Sequence, residues 1–145
     1  MKVSNVSFIL LLLISSFAYS QTVTKSPIYE TANSGLTIKE ITEDGIIWFG
    51  YQNPKYKYTV DILSFSVSNK ADAINLMLEG LKVLEMEKTK KDQDITHEFK
   101  GVNITRYGFK QKVIYYESLR LNKGQIKKII KALEEYEYNG LRNKS

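Results

Sequence analysis

Two Asn-Lys dipeptides stand 53 residues apart, at Asn69-Lys70 and Asn122-Lys123, and each closes a strand-like run and opens a helical one. An asparagine side chain accepts a backbone N–H of the first helical turn, so it marks a start. Asp72 follows Asn69 by three residues, where a carboxylate favours the positive end of the helix. Gln125 follows Asn122 by three and predicts a capping box. Behind the first cap, Ile74, Met77, Leu78, Leu81 and Leu84 recur at helical spacing. Behind the second, Ile126, Ile129, Ile130, Leu133 and Tyr136 or Glu137 form a stripe, with Lys123, Lys127, Lys128, Lys131 and Glu135 on the opposite face. Asn139-Gly140 suits a C-cap. Gly80 weakens its helix by about 1 kcal/mol relative to alanine, and leaves room for another element to pack closely.

Three strand-like runs precede each helix. In the first half, Leu36, Ile38 and Glu40 share one parity, and Glu43-Asp44-Gly45 is a hairpin signal. Ile46–Tyr51 suits a buried strand, and Gln52-Asn53-Pro54-Lys55 a turn. Tyr56–Val67 predicts a third strand. Its apolar parity switches from Tyr58, Val60 and Ile62 to Leu63, Phe65 and Val67, as at a bulge. Ile28-Tyr29 predicts a short edge strand further upstream. In the second half the runs are Ile95–Phe99, Val102–Tyr107 and Val113–Leu121, with turns at Lys100-Gly101 and around Phe109-Lys110-Gln111-Lys112. The expected fold is α+β: an antiparallel sheet, or two, of about six strands with two amphipathic helices packed on one side, in the order βββα-βββα. The caps match at an offset of 53, but Met77-Leu78-x-x-Leu81 matches Ile129-Ile130-x-x-Leu133 at 52. A duplication explains the likeness; convergent strand-to-helix punctuation is the alternative. Residues 35–140 form the expected single domain, with 21–34 a lead-in and 141–145 a loose tail.

Residues 1–20 carry the layout of a secretory signal peptide: Lys2, the apolar run Phe8–Ile14, and small residues at Ala18 and Ser20. The apolar run is well short of the roughly 20 residues of a spanning helix. Cleavage before Gln21 removes one basic residue and lowers the net charge from +5 to +4. A chain of this size builds a core without staples, and it contains no cysteine. That excludes a disulfide framework and a lipid-bearing cysteine after the leader. The expected location is outside the cytoplasm: periplasm, cell surface or medium, with no stable membrane anchor after cleavage.

Catalytic chemistry is sparse. His97 is the single histidine, so any Ser-His-Asp arrangement runs through it, and no G-x-S-x-G accompanies it. Asp92, Asp94, Thr96 and Glu98 alternate without the glycine and terminal acid of a calcium loop. No cysteine and one histidine exclude a structural zinc site. Neither phosphate-binding glycine motif occurs. No cofactor, metal or catalytic residue is expected.

Tyrosines flanked by lysines are the remaining candidate. Lys55, Tyr56, Lys57 and Tyr58 lie at one turn, and Arg106, Tyr107, Lys110 and Lys112 at another. Such residues stack on sugar rings or bases while their cations meet anionic groups. Strand packing and protection of sheet edges explain the same composition without a ligand. Strand runs that each end in a helix resemble, in order alone, nucleic-acid binders of the Whirly and TATA-binding types. None of their motifs is present, and an exported chain rarely meets nucleic acid. The expectation is an exported, non-enzymatic domain that binds a protein or envelope component. A binder of anionic polysaccharide or another polyanion through the Lys/Tyr turns is one alternative; a small hydrolase using His97 is the other.

Overall fold

The computed structural model describes residues 26–32, 35–41, 45–56 and 61–137. The leader, Lys57 and Tyr58, and the Asn139-Gly140 cap lie outside the described residues. Four strands, β1 (Tyr29–Thr31), β2 (Leu36–Glu40), β3 (Ile47–Gln52) and β4 (Ile62–Val67), lead into helix α1 (Lys70–Glu85). Four more, β5 (Ile95–Phe99), β6 (Val102–Arg106), β7 (Val113–Tyr116) and β8 (Leu119–Asn122), lead into α2 (Lys123–Glu135). Each set is an antiparallel meander, in the sheet orders β1-β2-β3-β4 and β5-β6-β7-β8. The α+β class is as expected, but eight strands in two sheets replace about six.

The differences have physical causes. The short edge strand expected at Ile28-Tyr29 in the lead-in is present as β1 and adds to the count, pairing with β2 from Tyr29 opposite Ile38 to Thr31 opposite Leu36. Val113–Leu121 is two strands rather than one, folded at Glu117-Ser118 so that Tyr116 faces Leu119. Glu117 takes a φ of 53°, a conformation usually left to glycine or asparagine. Its carboxylate accepts the Asn103 N–H at 2.7 Å, which holds the turn against β6. The Lys100-Gly101 turn is as expected. Its φ values of 48° and 82° match the two positive angles of a type I′ hairpin.

Helix α1 is rotated from the expected phase. Its buried apolar positions are Ala73, Leu76, Met77 and Val83 with Gly80 among them, whereas Leu78 is 40% exposed. The reason lies at Gly80. Tyr116 from β7 lies so close that a Cβ there would sit 1.8 Å from its hydroxyl oxygen. That hydroxyl donates to the Met77 carbonyl at 3.2 Å. The smallest residues of the helix form its tightest contact, so its leucines are not the centre of its buried face.

This rotation decides the offset between the halves. Both caps form: Asn69 accepts the Asp72 N–H and Asn122 the Gln125 N–H. Counting from the caps, Ala73, Leu76 and Gly80 correspond to Ile126, Ile129 and Leu133, and all six are buried. The strand registers extend the match. Leu36, Ile38 and Glu40 correspond to Val102, Ile104 and Arg106, each buried. Phe49 pairs with Ile38 and Phe65 as Tyr116 pairs with Ile104 and Leu119. The two halves are structural repeats.

They grip each other reciprocally. Arg106 is 1% exposed, and its guanidinium donates to the carbonyls of Leu84, Met86 and Glu87, which closes the end of α1. Its counterpart Glu40, also buried, accepts the Tyr136 hydroxyl just beyond α2 at 2.5 Å. Lys70 at the start of α1 donates to the Tyr136 carbonyl, and Lys123 at the start of α2 bonds Glu85 at the end of α1. The helices therefore run antiparallel. They pack on each other and on strands of both sheets, α1 on β4 to β7 and α2 on β8 and β1. One apolar core joins all these elements.

Candidate functional site

The repeats are not equal in one connection. Fifteen residues separate Phe49 from Phe65, whereas two separate Tyr116 from Leu119. The longer hairpin touches the shorter one through β3. Tyr51 crosses between them, and its hydroxyl accepts the Ser118 N–H at 3.3 Å. Burial raises the pKa of this phenol above its ordinary value of 10.

Below this contact opens a cleft of about 1050 Å3. One wall comes from the first repeat: Tyr29 and Thr31 of β1, Tyr51 and Gln52 of β3, and the turn residues Asn53 and Pro54. The other comes from the second: Val113, Ser118, Leu119, Arg120 and Asn122, with Gln125 and Lys128 of α2. The strands β1 and β8 that face it are both sheet edges.

The second wall is rich in donors. Asn122 and Gln125 place their amide oxygens in the capping box, which leaves both NH2 groups as donors. Arg120 and Lys128 have no hydrogen-bond or ion-pair partner among the described residues. No carboxylate is among the cleft's lining residues. Two nearby acids are engaged elsewhere, Asp61 by the Asn53 amide at 2.7 Å and Glu117 by Asn103, and Glu30, between the lining residues Tyr29 and Thr31, is exposed on the first-repeat side.

The Lys/Tyr turns are placed as follows. Pro54 and Val113, which line the cleft, are chain neighbours of Lys55 and Lys112, so both turns reach it. Lys55, Tyr56 and Lys112 are exposed. Arg106 leaves the candidate set, because its buried guanidinium is a helix cap rather than a surface cation. Tyr107, Lys110 and Tyr115 belong to a cluster on the outer face of the second sheet. The Tyr107 ring lies 4.9 Å from Tyr115, edge-on, and 5.6 Å from Phe109. Lys110 sits 5.2 Å from the Phe109 ring and donates to the Tyr115 hydroxyl at 3.0 Å. Sequence reasoning missed Arg120, Asn122, Gln125 and Lys128 as wall residues. The only signal was the capping box, which reads as helix punctuation.

His97 lies on exposed β5, with Nε2 3.6 Å from a Glu79 carboxylate oxygen that belongs to α1. Glu79 in turn pairs with Lys82. The described residues contain no cluster of potential metal ligands. No protein-family model, curated protein or solved structure matches this chain.

Proposed function

We propose that the protein is an exported, non-enzymatic domain that binds a protein or other component of the cell envelope, with the inter-repeat cleft as its binding face. The donor wall of Arg120, Asn122, Gln125 and Lys128 carries this reading. All four donate hydrogen bonds, and Arg120 and Lys128 add positive charge, which suits holding an accepting, anionic ligand. The leader at residues 1–20 supports export, and no helix among the described residues is long and apolar enough to cross a membrane.

The test is co-sedimentation of the mature chain with the envelope fraction of producing cells. The chain should sediment with it, and Ser118→Trp, which fills the cleft from an exposed turn, should stay in the supernatant while keeping its fold. Equal sedimentation of both overturns the cleft as binding face. Export is checked by N-terminal sequencing, which should begin within about two residues of Gln21. An intact Met1 on membrane-bound protein would make the leader an anchor.

A further inference from the structure

We propose that the component held at the cleft is a carboxylate-bearing polysaccharide, a polymer of the uronic acid type, which runs from the cleft onto the outer face of the second sheet. This rests on the cleft being the binding face and names the chemistry it selects.

Three observations carry it. First, the second wall offers donors to a ligand that accepts, and its two cations lack acidic partners among the described residues. An arginine fork matches a carboxylate with two parallel hydrogen bonds, and amide NH2 groups suit hydroxyls. Second, the wall continues onto an aromatic platform. Arg120 stands directly across from Tyr115 in the strand register. Tyr115 packs on Tyr107, which packs on Phe109, and the Phe109 ring is 58% exposed. The exposed part of the Phe109 ring, beside its Tyr107 and Lys110 contacts, suits the apolar face of a pyranose. Third, cations stand beside the rings. Lys110 lies 5.2 Å from Phe109 and 5.5 Å from Tyr115, and Arg120 and Lys128 follow in the cleft wall. A uronic acid chain offers both complements, one apolar ring face and one carboxylate per sugar. An acidic peptide supplies the charge but no ring faces.

Polygalacturonate is the probe, with poly-L-glutamate as the comparison, and binding is measured on the mature chain. The chain should bind polygalacturonate at low salt, and weaken about tenfold or more between roughly 50 and 500 mM NaCl. Arg120→Glu with Lys128→Glu should weaken it by about tenfold or more. Lys39→Glu with Lys82→Glu makes the same charge change at residues that neither line the cleft nor touch the platform, and should stay within about twofold. Phe109→Ala should cost roughly fivefold with an unchanged salt slope. Denaturation midpoints confirm that each variant folds.

Four results overturn the proposal. Wild type that does not bind at low salt ends it. Equal loss from the Lys39 and Lys82 pair reduces the effect to net charge. An unaffected Phe109→Ala removes the platform. Equal or tighter binding of poly-L-glutamate makes the occupant an acidic protein segment. If polygalacturonate does not bind while Ser118→Trp still abolishes envelope sedimentation, the polysaccharide falls and the cleft stands. If both tests fail, both readings fall.

Discussion

In the first repeat a long hairpin links β3 to β4; in the second, Glu117-Ser118 does the same work in two residues. Within the repeats, the asparagine caps, the buried strand positions and a buried charged residue at the end of the second strand correspond. The core is repeated and the connections are not. The cleft lies at that difference, between β1 and the start of the longer hairpin on one side and the edge strand β8 on the other. A repeated core leaves its connections free to diverge, and loops positioned by a rigid scaffold are where binding concentrates.

The largest test of the comparison sets Arg106 against its counterpart Glu40. Arg106 closes α1 with three carbonyl contacts. Arg106→Met leaves these carbonyls without their donor in a buried site, and should destabilise by about 3–5 kcal/mol. Glu40→Gln keeps its size and an amide oxygen that accepts from Tyr136, and should cost about 1 kcal/mol. Urea denaturation gives both values. Equal costs would mean that the two grips are energetically alike and the repeats more symmetric than their bonding implies.

The second test concerns helix phase. Leu76→Ala, at the position matching Ile129, should cost about 2–5 kcal/mol. Leu78→Ala, on the half-exposed side, should cost less than about 1 kcal/mol. Chemical denaturation separates them. A larger loss at Leu78 would restore the offset of 52 and break the alignment of the halves. Lys128→Ala should shift stability by less than about 0.5 kcal/mol, so it reports binding alone.

The same helix shows what the sequence disclosed and what it hid. Caps were legible, because Asn with Asp or Gln three residues on has one local physical use. The Lys100-Gly101 hairpin was legible for the same reason. The phase of α1 was not, because Leu78, Leu81 and Leu84 outweigh Ala73 and Gly80 in hydrophobicity. The buried face was chosen by closeness to Tyr116 instead. The Glu117-Ser118 turn was hidden because glutamate rarely takes the left-handed backbone that Glu117 adopts, and the Asn103 contact that stabilises it is 14 residues away. The cleft was hidden almost entirely. Arg120, Asn122 and Lys128 look like strand-edge, cap and helix-surface residues, and only the packing of one repeat over the other makes them a wall.

Gly80 and Leu133 hold equivalent positions, and the third test exploits that. In an ordinary helix, Gly→Ala stabilises by about 1 kcal/mol. Here the new methyl would enter the Tyr116 ring, so Gly80→Ala should destabilise by about 2 kcal/mol. In a Tyr116→Phe background the clash loses its nearest atom and the cost should shrink. Thermal or urea midpoints of the four proteins form the cycle. A stabilising Gly80→Ala would mean that the ring is not seated on α1.

The smallest expected effect separates the two phenols that cross between repeats. Burial raises both pKa values above the ordinary 10, and Tyr116 is much the more strongly affected. The directions of their hydrogen bonds differ. Tyr51 accepts from Ser118, a bond that a phenolate retains. Tyr116 donates to Met77, a bond that a phenolate cannot make. In each case the unfolded chain gives up its phenolic proton first as pH rises. The stabilisation is therefore complete below pH 10 and is lost as pH climbs from there toward the folded value. Each withheld phenol should cost up to about 1.4 kcal/mol per pH unit above that point. Tyr116→Phe should flatten the alkaline decline more than Tyr51→Phe, because the folded Tyr116 stays protonated to higher pH. Stability measured between about pH 9 and 11 for wild type and both variants decides it. If Tyr51→Phe flattens the decline more, Tyr51 would be the more deeply withheld phenol, and the contact beside the cleft would be tighter than the one on α1.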